Sequence, residues 1–210
     1  MNIKKTANLL INFATKRLAE IFGIFIFLSG ILLFLSLFTY SPNDPNFIFP
    51  QNTEIKNLLG YQGSIISDLF FQSIGSVAYL VSITLIIGGI NTFRTKEFLL
   101  IIENIFFTIL YSCLGTLFLA YFYSNSFIFY INGNGGFVGS YLNNTFFNNL
   151  IKMNETLFFY FLIIFILSLF LISINFHLIK FYYNFKKIIK YLSKNQEKNY
   201  TDKSEIINEY

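Results

Sequence analysis

"NIFFTILYSCLGTLFLAYFYSNSFIFYINGNGGFVGSYLNNTFFNNLI" (104–151) runs for 48 residues without a charge. How often it crosses a membrane decides the fold. Polarity divides it. Residues 104–123 are apolar throughout, whereas 124–151 carry Ser124, Asn125, Ser126, the "NGNGG" at 132–136, Asn143, Asn144, Asn148 and Asn149. Backbone groups freed by such a Gly-Asn cluster find no partner in hydrocarbon. The stretch therefore predicts one crossing followed by a loop beyond the membrane.

Three more charge-free windows flank it: 23 residues at 21–43, 25 at 69–93 and 24 at 156–179. A helix needs roughly 20 residues to cross a hydrocarbon core about 30 Å thick, so each window is long enough for one span. Only 12% of the 210 residues are charged, about half the share usual in a soluble domain. The expectation is an all-α integral membrane protein with four spans at about 20–40, 68–93, 103–123 and 156–179. Together these make a membrane domain at 20–179, preceded by a juxtamembrane segment at 1–19 and followed by a basic tail at 180–210.

Lys and Arg set the expected orientation. Residues 1–20, the connection 94–103 and the tail from 180 hold thirteen of the fifteen bases; the other two connections hold Lys56 and Lys152 alone. Both termini are expected in the cytoplasm. A fifth span within 124–151 would carry the seven-lysine tail outside. The N-terminus reads as a retained amphipathic helix, with Ile3, Ala7, Leu10, Ala14 and Leu18 at helical spacing. Lys16 and Arg17 stand where a cleaved leader would need small residues.

Helices in lipid associate by close packing, so small residues mark interfaces. Thr108, Ser112, Thr116 and Ala120 recur every four residues along the third span. Asp68, Gly75, Ala78, Ser82 and Gly89 line the second, and Gly23 and Gly30 mark the first. The fourth span is almost wholly bulky and is expected to face lipid. Within the loop, Val138, Leu142, Thr145/Phe146 and Asn149/Leu150 approximate one face of a short helix lying on the outer surface. In the tail, Phe181, Phe185, Ile188 and Leu192 share a face edged by Lys186, Lys187 and Lys190, a polybasic segment suited to anionic lipid. A DNA-binding reading of those lysines is the weaker one.

Catalytic, cofactor and metal sites are not expected. His177 stands near the end of the fourth span, Cys113 is the single cysteine, and no glycine is followed by Lys, so a phosphate-binding G-x-x-x-x-G-K-[ST] loop is missing. No acid or base falls in mid-span, where ion-coupled carriers generally place one.

The first span stops abruptly in "LSLFTYSPNDPNF" (35–47). Pro42 and Pro45 bias Ser41 and Asp44 away from helix, Tyr40 suits a membrane interface, and Asn43 and Asp44 favour a turn through local side-chain bonds. This Tyr40-Ser41-Pro42-x-Asp44-Pro45 turn resembles the end of the first span in the membrane domain of FtsK/SpoIIIE-type DNA translocases. "NLLGYQGSIISDLFFQSIGSVAYL" (57–80) is similar to the family's next element, matching at Asn57, Gly60, Gly63, Asp68, Gln72 and Gly75. "GNGGFVGSYL" (133–142) resembles the element before its fourth span, at Gly135, Gly136, Gly139 and Leu142.

The resemblance covers roughly 17–180. It implies a multi-pass bacterial inner-membrane protein that anchors and assembles at the division septum, with the lipid bilayer, division proteins and copies of itself as partners. DNA would be reached only through a RecA-like motor, for which the chain to Tyr210 leaves no room; the motor is expected to be separately encoded, or this to be an excised membrane domain. The alternatives are a small four-span transporter or channel, with the stripe at Thr108, Ser112, Thr116 and Ala120 lining a path, or a stand-alone scaffold.

Overall fold

A computed structural model describes residues 3–45, 54–124, 132–176 and 186–187. The chain divides into Met1–Asn175 and Phe176–Tyr210. The first unit is described below. His177 and nearly all of the basic tail lie outside the described residues.

The described residues of this unit form seven α-helices: α1 (Ile3–Phe38), α2 (Gly60–Ile74), α3 (Ala78–Thr95), α4 (Leu99–Phe122), α5 (Gly136–Asn143), α6 (Phe146–Met153) and α7 (Glu155–Ser173). A 3₁₀ turn, Gly75–Val77, joins α2 to α3, and no strand occurs among the described residues. Four stretches are long and apolar enough to cross a membrane: Asn8–Phe38, Gly60–Thr95, Leu99–Phe122 and Glu155–Ser173. The chain is thus an all-helical protein with four candidate membrane-spanning segments.

Two elements differ from the sequence-based expectation. The span placed at 68–93 is not one straight helix. Gly75 takes φ 59°, ψ −145° and turns the chain between α2 and α3, so the apolar run is divided into a 15-residue and an 18-residue helix. The single surface helix expected over 138–150 is two, because Thr145 adopts extended backbone (φ −98°, ψ −169°) and starts α6 afresh. The juxtamembrane segment, in turn, continues without a break into the first span. At 1.5 Å per residue the 36-residue α1 is about 54 Å long, far more than a hydrocarbon core requires.

α1 and α3 run antiparallel with their backbones nearly touching. A Cβ added to Gly89 would lie 2.5 Å from the Phe27 amide nitrogen, and one on Gly23 would lie 2.7 Å from that of Phe93. Only glycines permit so close a crossing, and in lipid that closeness is the main source of helix–helix attraction. Further along, Tyr79 donates its hydroxyl proton to the Leu37 carbonyl at 3.1 Å. α4 pairs with α7 through Tyr111, Leu117, Leu162, Ile166 and Leu169, joined by Ile151 and Val77. Tyr111 is fully buried and meets Phe170 edge-on at 5.7 Å.

The two ends of the bundle are tied differently. At the end near residue 20, here the proximal end, Glu20 accepts from Arg17 at 2.6 Å and Lys96 at 2.7 Å, joining α1 to the turn between α3 and α4. A polar layer runs from mid-bundle toward the same end: Thr84 and Tyr111 hydroxyls 2.8 Å apart, Asn91 donating to the Ile174 carbonyl at 2.8 Å, and the Asn104 and Asn175 amides 3.1 Å apart. The opposite, distal end holds residues 39–45, 54–59, 123–124 and 132–154.

Candidate functional site

The distal end is built from a handful of polar residues that the helix termini leave facing one another. α1 ends because Pro42 prevents Ser41 from continuing it; the Asp44 amide then donates back to the Ser41 carbonyl at 3.1 Å, closing a turn. Asp44 is buried, with 5% of its surface exposed. Its carboxylate reaches well beyond its own turn, accepting from the backbone amides of Lys56 at 3.0 Å and Asn57 at 2.8 Å. The local turn-forming bonds expected of Asp44 are thus replaced by a clasp between the end of α1 and the approach to α2. Bonds to an ionised group each contribute about 1.5–3 kcal/mol.

Asn57 extends the clasp into the bundle. Its side-chain amide donates to the Ser36 carbonyl at 2.9 Å, and its oxygen accepts from the Leu59 amide at 3.1 Å. The Ser36 hydroxyl donates to the Gly63 carbonyl, and the Ser64 hydroxyl to that of Pro45 at 2.8 Å. Gly63 is pressed so closely against the Asn57 side chain that a Cβ would overlap it and lie 2.6 Å from the Leu59 Cβ. Tyr40 joins the same assembly, donating to Asp68 at 3.1 Å and stacking obliquely on Phe71 with ring centres 4.8 Å apart.

At its other end α2 meets the loop before α5. Gly75 and Gly136 both adopt left-handed backbone, φ 59° and 63°, a region that side-chain-bearing residues enter at a cost of about 1–2 kcal/mol. Their backbones touch: a Cβ on Gly75 would fall on the Asn134 carbonyl and 2.9 Å from the Gly136 nitrogen, and one on Gly136 would lie 2.6 Å from the Ser73 carbonyl. The Ser76 amide donates to the Asn134 carbonyl at 3.0 Å. Asn132 donates to both the backbone and side-chain oxygens of Gln72 at 3.3 Å, and Asn134 to the Tyr123 carbonyl at 2.6 Å. Finally Gly135 and Gly139 rest on α4, where added Cβ atoms would overlap the Thr116 carbonyl and approach the Ala120 Cβ at 2.9 and 3.1 Å.

The three sequence motifs thus meet in one cap. Tyr40, Asp44 and Pro45 from the first, Asn57, Gly63, Asp68, Gln72 and Gly75 from the second, and Gly135, Gly136 and Gly139 from the third are linked by the contacts above. Others stand apart. Pro42 is exposed, Ser41 supplies its carbonyl, and Gly60 starts α2 with its amide donating to the Asn57 carbonyl at 2.9 Å but open space where a side chain would stand. The α4 stripe divides: Thr116 and Ala120 lie under α5, whereas Thr108 donates to the Asn104 carbonyl at 2.6 Å near the proximal end, and Ser112 is buried between. A path along the whole stripe would have to pass through the glycines of α5.

Sequence reasoning overlooked Asn134, Ser36, Ser64 and Asn132. Asn134 had a signal, an amide inside a Gly-rich turn; Ser36 had one as a small residue near Gly30 on the first span, though not as a hydrogen-bond donor, and Ser64 had none. Beside the cap is a cavity of about 250 Å³ lined by Ser124, Asn132, Asn134, Ser140, Asn143 and Asn144. Among the described residues no three His, Cys, Asp or Glu side chains cluster as metal ligands would. The two carboxylates in the cap, Asp44 and Asp68, hold backbone amides and a phenol in place. Their geometry is that of a latch.

Comparison with known proteins shows the family. The family described as the 4TM region of DNA translocase FtsK/SpoIIIE matches residues 15–185, which include every cap residue named above. A relative from Mesorhizobium japonicum, "DNA translocase FtsK", is 30% identical over 84 residues, 40% of this chain. The chain corresponds to only a small part of that relative, the match covering 10% of its length. No solved structure matches. With four apolar helices arranged around a cap of matched residues, the chain belongs to the family of the four-transmembrane membrane region of FtsK/SpoIIIE DNA translocases.

Proposed function

We propose that this chain is the membrane-anchoring and septum-assembly domain of an FtsK-like translocase, acting in cell division and chromosome segregation. It lies in the inner membrane with both termini in the cytoplasm, and it presents the distal cap to the outside, where division proteins and further copies of the chain engage it. DNA is handled by the motor domain of such a translocase and not by these spans. The observation that carries the reading is the cap itself. Three separated motifs make one rigid assembly, with two of the chain's fifteen bases on its side of the membrane. That distribution favours an external cap. The channel alternative gains no support, since the α4 stripe is closed by α5 at Thr116. A fluorescent fusion of the chain in dividing bacterial cells is expected to concentrate at the division site. Uniform fluorescence around the membrane in those cells would contradict the septal role.

A further inference from the structure

α6 (Phe146–Met153) presents three different surfaces. Helical geometry at 100° per residue places Phe146, Leu150 and Met153 within an arc of about 60°. All three are open: 63%, 38% and 80% of their surfaces are exposed. A second arc, Phe147 and Ile151, turns into the bundle core, where Ile151 is 2% exposed. Asn148, Asn149 and Lys152 occupy the third. A water-facing helix has no reason to expose three large apolar side chains on one side while an adjacent side is already packed.

Its position in the chain says what covers that side. Asn154 alone separates α6 from the membrane-spanning α7, and its side-chain oxygen caps α7 by accepting from the Leu157 amide at 3.1 Å. α7 exposes Leu157, Tyr160, Phe161 and Ile164 from its first turns onward, the surface a bilayer covers. Met153 is therefore held at the depth where the span meets the headgroups.

We propose that α6 is an interfacial helix, with Phe146, Leu150 and Met153 inserted into the boundary between headgroups and acyl chains of the distal leaflet. Asn149 and Lys152 remain in water, and Asn148 donates to the Asn143 side-chain oxygen at 3.3 Å. Such helices sit with their apolar side about 5–10 Å into that boundary. The lipid contact would set the height of α6, and through it of α5 and the cap, relative to the bilayer.

The chain has no tryptophan, so one can be introduced as a silent-background probe. Phe146→Trp, Leu150→Trp and, as the water-side reference, Asn149→Trp are made singly in the full chain and reconstituted into liposomes. Quenching by lipids brominated near the headgroup is compared with quenching by aqueous iodide. Tryptophan at 146 and 150 is expected to emit further to the blue than at 149, to be quenched by the brominated lipid and to be shielded from iodide, with 149 reversed. Iodide quenching at 146 and 150 equal to that at 149 would overturn the proposal by placing this side in water. Shielding of 146 and 150 from both quenchers would also overturn it, since protein would then cover them. Each variant is exposed and keeps or adds an aromatic ring, and its melting temperature, followed through Cys113, verifies that the bundle is intact.

Discussion

Replacing Gly75 by alanine tests whether the cap is held by backbone contact. The new Cβ would fall on the Asn134 carbonyl, 2.5 Å from its carbon and 2.9 Å from the Gly136 nitrogen, in backbone at φ 59°. With ψ at −145° the residue lies outside the left-handed helical basin, in a region essentially reserved for glycine, so the conformation alone costs at least about 1–2 kcal/mol for an L-residue. The obstructing atoms are all main chain, so no rotamer change relieves the overlap and the junction must open. That breaks the 3.0 Å bond from the Ser76 amide to Asn134, a further loss of about 1–2 kcal/mol when a buried partner stays unpaired. The sum is roughly 2–4 kcal/mol. Gly60→Ala provides the comparison: its φ is 66°, but nothing lies within 4 Å of a Cβ there, so only the conformational part applies, about 1–2 kcal/mol. Cys113, the single cysteine, is partly buried in α4, and a thiol-reactive fluorogenic dye follows its exposure as detergent-solubilised protein is heated. At about 2–4 °C per kcal/mol for a chain of this length, Gly75→Ala should melt roughly twice as far below the parent as Gly60→Ala. Equal melting temperatures for the two variants would refute the backbone-contact account of the cap.

Further outcomes follow from the other contacts. Asp44→Asn leaves one of the Lys56 and Asn57 amides facing an NH₂ group, and should destabilise the solubilised protein by about 1.5–3 kcal/mol, seen as a lower melting temperature in the same dye assay. Gly89→Val places side-chain atoms against the Phe27 backbone and should separate α1 from α3, lowering the melting temperature in the same assay. Thr116→Leu adds bulk to a fully buried side chain and should cost about 1–3 kcal/mol, again read as melting temperature. Glu20→Gln removes the partner of Lys96 and Arg17; because such surface pairs are screened, its effect on melting should shrink as salt is raised.

The spans were legible because charge cannot be hidden in hydrocarbon, and the free windows mark them directly. Charge marks a membrane edge, however, and not a helix end. Lys16, Arg17 and Glu20 suggested a boundary near residue 20, yet no Gly or Pro interrupts residues 3–22 and α1 runs through. The break at Gly75 was hidden for the opposite reason. Apolar composition continues across it, and hydropathy carries no information about φ. Gly75 was visible as a motif residue, but its partner Asn134 lies 59 positions away in a loop whose amides look interchangeable. Asp44 shows the same limit: its bonds to Lys56 and Asn57 depend on where α2 returns, which only the fold decides. The motifs could be found one at a time, while their meeting in one cap is a property of the packed bundle.

The central claim is a four-span anchor whose motif-built cap faces outward. In a Cys113→Ser background, single cysteines at Leu58 and Asn149, both exposed at the distal end, and at Glu97 in the exposed turn at the proximal end, can be challenged in intact spheroplasts with a membrane-impermeant maleimide. The account requires Leu58→Cys and Asn149→Cys to react at once and Glu97→Cys to react only after permeabilisation. Reaction of Glu97→Cys in intact spheroplasts, or of only one of the two distal cysteines, would contradict it.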